Sequence, residues 1–136
     1  IVNIARSQEG QVGGRPFWSW YGFDNRVEWC ACFVSWCANR DGVLDTKIPK
    51  FALCSDGVDW FVQRGQWAKR GDTTPVAGDI IFFSWNANTR INHVGIVIGS
   101  DANYVYTIEG NSRDKCRVKS YPLNSPVIYG YGLPNY

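Results

Sequence analysis

The order of patterns along this 136-residue chain predicts an α+β fold, with N-terminal helices followed by an antiparallel sheet of about five to six strands. Three observations carry that reading. Apolar residues recur at helical spacing in segments before residue 65, runs rich in Val, Ile, Phe and Tyr take over after Pro75 and Gly78, and Gly, Asn, Asp, Ser and Pro separate those runs. The length suits one core and falls short of the size at which a second is expected, so residues 1–136 read as a single domain.

Ile1 to Glu9 carries apolar side chains at 1, 4 and 5 and stops at Gly10, the pattern of a short helix ended by glycine. Residues 11–26 are rich in Gly and aromatics without a clear period and read as a surface loop near a site. From Trp29 to about Asn39 the phase is helical: Cys30, Phe33, Val34 and Cys37 stack on one face, and Trp29, Cys32 and Trp36 form an adjacent stripe. Two apolar stripes predict a largely buried helix with Cys30 in its first turn. There, free backbone N–H groups and the positive end of the helix dipole favour a thiolate over a thiol. A further helix is predicted from Gly57 to about Arg64, with Ser55 as its cap. Strands are predicted at Asp79–Phe83, His93–Ile98, Tyr104–Glu109, Cys116–Tyr121 and Val127–Tyr131.

The segment from Val97 to Val105 reads as a hairpin turning at Asp101, which sets His93 opposite Glu109. Alternation then puts His93, Gly95 and Val97 on one face with Val105, Thr107, Glu109 and Asn111, and leaves Val94, Ile96, Ile98, Tyr104, Tyr106 and Ile108 on the other. Gly95 would leave room on the polar face for the helix carrying Cys30 to dock. Taken singly, His93 has the plainer reading of a hydrogen-bonded structural residue, and Cys30 that of a small buried hydrophobe. Together with Glu109 they make a thiol nucleophile, a base that titrates near neutrality and a carboxylate to hold its tautomer. The Cys30 N–H at the helix start is placed to stabilise an oxyanion.

The chain has five cysteines, so at least one thiol stays unpaired if disulfides form. Cys32 and Cys37 read either as packing residues or as partners of Cys54 or Cys116 in a secreted domain. No CxxC pair is present and the single His is distant in sequence, so the spacing is not that of a zinc site. Seven Trp residues are more than a core of this size usually needs, which suggests an aromatic-lined cleft. Trp18, Trp20, Trp29 and Trp85 are the candidates for substrate contact, each also readable as core. The formal charge of +2, with Lys and Arg scattered, argues against nucleic acid as a partner, and no segment has the length of a membrane span. The chain begins at Ile1 and contains no Met, so it reads as a processed or excised domain of a longer chain.

Four segments in order closely resemble the CHAP family of cysteine, histidine-dependent amidohydrolases and peptidases. They are Glu28-Trp29-Cys30-Ala31-Cys32-Phe33-Val34-Ser35-Trp36, Gly78-Asp79-Ile80-Ile81-Phe82-Phe83, Asn92-His93-Val94-Gly95-Ile96-Val97 and Ile108-Glu109-Gly110-Asn111. The resemblance implies a papain-like α+β core akin to that of NlpC/P60 enzymes, with a nucleophile helix packed on an antiparallel sheet. It makes Cys30 the nucleophile, His93 the base and then acid, Glu109 the residue that orients His93, and Asn111 a supporting polar member. It also implies peptidoglycan as the substrate, cut at the muramoyl–L-alanine amide or within the stem peptide or cross-bridge. The implied setting is extracellular or at the cell wall, as a secreted bacterial enzyme or phage lysin; no membrane insertion is expected, and a monomer is. Asn92 stands where many relatives carry Asp. Some relatives bind calcium before the cysteine, but Asp24 and Glu28 alone offer too few oxygen ligands here, so no metal or cofactor is expected. The competing readings are an acyltransferase or other peptidase on the same fold, a catalytically silent wall-binding module, and a disulfide-stabilised structural domain with Cys30 paired.

Overall fold

The structure is a computed structural model that describes residues 1–136. Four helices come first: α1 (Val2–Arg6), α2 (Arg15–Tyr21), α3 (Cys30–Arg40) and α4 (Cys54–Gln63). The strands are β1 (Trp67–Lys69), β2 (Ile80–Phe83), β3 (His93–Ser100), β4 (Tyr104–Glu109), β5 (Arg117–Pro122) and β6 (Ile128–Gly132). They form one antiparallel sheet in the order β1-β6-β2-β3-β4-β5. No helix is long and apolar enough to cross a membrane.

Three elements depart from the sequence reading. The predicted loop at 11–26 contains α2, which starts from Gly14 in the left-handed region (φ 68°) and has a proline in its first turn. Its aromatics have a tertiary purpose that periodicity does not reveal: Phe17 is buried against the rings of Trp29, Phe33 and Trp36. Strand β1 is only three residues long, too short for an alternation signal, and is held by pairing with β6. Helix α4 begins at Cys54 with Leu53 as its cap, so Ser55 lies inside the helix rather than capping it.

Each face of the sheet has its own core. Ile80, Phe82, Val94, Ile96 and Ile108 join the buried residues of α1 to α4 in the larger cluster. Eight of the eleven α3 residues are buried, as its two apolar stripes require. The other face holds a smaller cluster of Ile81, Phe83, Val97, Val105, Tyr121, Ile128 and Tyr131. The rings of Phe83 on β2 and Tyr121 on β5 sit 4.8 Å apart although two strands intervene, so the sheet curls over this side.

The β3–β4 register differs from the expected one. The turn is confined to Asp101–Asn103, where Asp101 accepts hydrogen bonds from the N–H groups of Asn103 and Tyr104. Ile96 pairs with Ile108 and Val97 with Thr107, and the pairing slips at a bulge between Val97 and Gly99. Below the bulge the shift from expectation is two residues, which preserves parity: His93, Gly95 and Val97 still share a face with Thr107 and Glu109.

Candidate active site

His93 opens β3 and Glu109 closes β4, so both lie at the same end of neighbouring strands. They are not directly opposite. The imidazole reaches diagonally, and its Nε2 lies 2.9 Å from Oε1 of Glu109. The residue that makes room is Gly95, where an added Cβ would come within 2.7 Å of the Glu109 Cγ. Gly95 therefore clears space for the carboxylate rather than for a docking helix, and α3 packs on the opposite, apolar face.

Glu109 is fully buried, and each of its oxygens is used. Besides His93, Thr107 Oγ1 donates to Oε2 at 2.6 Å, and the Tyr121 hydroxyl donates to the same oxygen at 2.9 Å. Burial pushes the Glu109 pKa up, but the hydrogen bond and charge of His93, with the Thr107 and Tyr121 donors, leave it below its ordinary value. An ionised carboxylate only accepts, so Nε2 carries the proton and Nδ1 is the ring nitrogen left for other chemistry. Burial, then the charge and hydrogen bond of Glu109, push the Tyr121 hydroxyl well above its ordinary pKa, so it remains a donor.

Cys30 is the first residue of α3 and is buried. Its pKa is well below the ordinary thiol value: the hydrogen bond with Cys54 lowers it most, burial opposes, and His93 and the Val94 N–H lower it further. For His93 burial is the largest influence and acts to lower the pKa, yet hydrogen bonds and charges from Cys30 and Glu109 raise it to about 9. The pair is thus disposed to exist as thiolate and imidazolium.

All five cysteines are free, so the disulfide alternatives for Cys32, Cys37, Cys54 and Cys116 are not realised, and neither is a paired Cys30. Burial raises the pKa of Cys32 to about 11 and that of Cys116 to about 12, which keeps these two as inert core thiols.

The side-chain hydrogen bonds of Asn111 go to Arg26 and Glu28, not to His93. Asn111 follows the end of β4 with φ 57°, so strand alternation no longer applies to it. Its Oδ1 accepts from Arg26 at 2.9 Å, and its Nδ2 donates to Glu28. Arg26 also pairs with Asp114 at 2.9 Å, and Asp114 accepts from the Trp29 indole at 3.1 Å. These contacts clasp the segment before α3 to the turn after β4, and Arg26 and Asp114 had no motif to announce them.

The four tryptophans separate. Trp29 is fully buried, which removes it from substrate contact. Trp18 donates to the Gly13 carbonyl at 3.0 Å, and Lys50 lies over the Trp20 ring, so both of these α2 residues have structural partners. Trp85 is 43% exposed and lies 5.4 Å from the imidazole of His93, ring to ring. Asn92 pins its segment, accepting from the Trp85 N–H at 2.9 Å, which is the use this chain makes of the amide at that position. Beside the same turn is a cavity of about 380 Å³, walled by Trp67, Lys69, Arg70, Ser84, Asn88 and Tyr129 among others, with two cations and no acid in its lining. None of the four predicted tryptophans lines it.

The family model described as the CHAP domain matches residues 20–111, which include Cys30, His93, Glu109 and Asn111. This chain belongs to the CHAP domain family. Among solved structures, that titled "The crystal structure of Ly7917" superposes with a TM-score of 0.59 at 17% identity, covering 97% of this chain and 60% of that one. A Staphylococcus aureus subsp. aureus Mu50 protein, described as similar to lipoprotein and of the NLP/P60 family, gives 0.53 at 19% identity, covering 99% and 40%. At such identities the likeness shows the fold: this CHAP chain has the α+β architecture of NlpC/P60 proteins, and it spans less than two thirds of either neighbour's length. No curated protein matches the sequence.

Proposed function

We propose that this CHAP domain hydrolyses an amide bond of bacterial peptidoglycan through an acyl-enzyme on Cys30. The observation that carries the reading is the run of contacts from Cys30 through His93 to Glu109, in a chain whose family consists of cysteine, histidine-dependent amidohydrolases and peptidases. The Cys30 thiolate attacks the carbonyl carbon, and the oxyanion forms beside the unpaired N–H groups at the start of α3. As the tetrahedral intermediate collapses, imidazolium His93 gives its proton to the leaving amine, and the acyl group stays on sulfur. His93, now neutral, takes a proton from water, which attacks the thioester and releases the carboxylate product and the thiolate. Glu109 fixes the ring through Nε2 and leaves Nδ1 for these transfers. Trp85 is the substrate-facing aromatic, and the cavity with Lys69 and Arg70 suits the carboxylates of a peptide stem. The setting that follows is the extracellular side or the wall.

Loss of turbidity of purified Gram-positive walls, compared for wild type and Cys30→Ala, tests this, with mass spectrometry of the released fragments. New amino and carboxyl termini with wild type alone are expected, and their position names the bond. Walls left intact by both proteins, yet bound by both, would replace the hydrolase with a silent wall-binding module.

A further inference from the structure

The sulfurs of Cys30 and Cys54 lie 3.7 Å apart, within hydrogen-bonding reach for thiols and well beyond the roughly 2.05 Å of a disulfide. Each is the first residue of its helix, so the N-terminal ends of α3 and α4 converge at this point. Both side chains are buried, with Cys30 at 4% and Cys54 at 6% exposure. Water therefore has little access to solvate a charge on either sulfur, and the charge must be met by protein groups. The mechanism above uses His93 and leaves Cys54 without a role.

We infer that Cys54 is a positioning residue for the nucleophile, its S–H donating to the Cys30 sulfur and holding that sulfur as a thiolate aimed at His93. The inference rests on Cys30 being the nucleophile. Two facts set the direction of the bond. Cys30 has a cation partner in His93 and an N–H donor in Val94, so it is the sulfur that can carry charge. Cys54 has no cation partner, and its own backbone N–H favours the charge only weakly; the hydrogen bond to Cys30, then burial, then the charges of Cys30 and Cys32 oppose its ionisation and outweigh that N–H, so it keeps its proton. A thiol is a weak donor in water. In this buried setting it is the contact that does most to lower the Cys30 pKa.

The test is the pH dependence of Cys30 alkylation by iodoacetamide, followed by peptide mapping on reduced protein, for wild type, Cys54→Ala, Cys54→Val and Cys54→Ser. Removing the donor should raise the midpoint by about one pH unit, so that alkylation at a pH below both midpoints slows roughly tenfold. Cys54→Val fills the site without a donor and should behave like Cys54→Ala, while Cys54→Ser keeps a donor and should stay near wild type. On wall fragments at the same pH, Cys54→Ala and Cys54→Val should lower kcat and leave KM unchanged. Alanine and valine variants that titrate with the wild type would overturn the inference, as would a serine variant displaced as far as they are. Alkylation needs no wall substrate, so displaced midpoints without wall lysis would defeat only the hydrolase reading. Lysis with coincident midpoints would defeat only the role of Cys54.

Discussion

The two faces of the sheet are built from neighbouring residues yet do different work. On the helix-covered face, Ile80, Phe82, Val94, Ile96 and Ile108 meet four helices and contribute apolar burial. On the curled face, alternate residues of the same strands bring buried polar groups together: His93, Thr107 and Glu109, with the Tyr121 hydroxyl. A one-residue step along β3, from Val94 to His93, passes from core to chemistry. The arrangement teaches that on these strands the apolar scaffold and the base with its carboxylate can be disturbed separately, because parity keeps their side chains on opposite sides, while Cys30 joins them from α3.

Substitutions on each face test that separation. The largest effect is expected for Phe82→Ala, since Phe82 is fully buried and packs near the rings of Phe51, Phe61 and Trp67. It should cost about 3–5 kcal/mol in denaturant unfolding. Alkylation of Cys30 per folded molecule should be preserved; a parallel loss of reactivity would break the division between faces.

Next comes Glu109→Gln, which keeps shape and removes charge on the curled face. On wall fragments kcat should fall roughly 10²-fold, as expected when a general acid loses its orienting group. The pH profile sharpens this further. His93 is charged below its pKa, raised to about 9, so wild-type turnover should decline as pH rises through that value, and should also decline in acid as the low-pKa Cys30 thiolate is protonated. Loss of the Glu109 charge should bring the alkaline limb to lower pH; an unmoved limb would mean that Glu109 does not support the imidazolium.

Gly95→Ala introduces a Cβ 2.7 Å from the Glu109 Cγ and should cost about 1–3 kcal/mol through overpacking, with a loss of turnover because the carboxylate must shift. Full activity would show that Glu109 has slack. The smallest effect is expected for Tyr121→Phe, which removes one of the donors to Glu109 and should cost about 1.5 kcal/mol in stability. A modest decline in turnover should accompany it, measured under saturating substrate.

Legibility in the sequence followed the length of the signal. The phase of α3 and its largely buried state were readable because two stripes repeat over three turns, and β4 was bounded correctly because turn residues flank it. Helix α2 escaped because its aromatic surplus hid its period, although Pro16 after Gly14 was a usable start signal. Asn111 was assigned to the face of His93 by alternation, and a single left-handed residue cancelled that reasoning. Tyr121, Thr107 and Cys54 were missed as members of the site because each has an ordinary strand or core residue type. Only contact with Glu109 or Cys30 distinguishes them.

By itself the sequence determined the helices-then-strands order, the placement of Cys30 at a helix start, and the parity that puts His93 and Glu109 on one face, since these depend on local periodicity. The tertiary structure alone decided the register of β3 against β4, the use of Gly95 to seat a carboxylate, the burial of Trp29 against the exposure of Trp85, and the meeting of Cys30 with Cys54. Those depend on how turns close and how separate helices converge, and residues far apart along the chain carry no local pattern that records their contact.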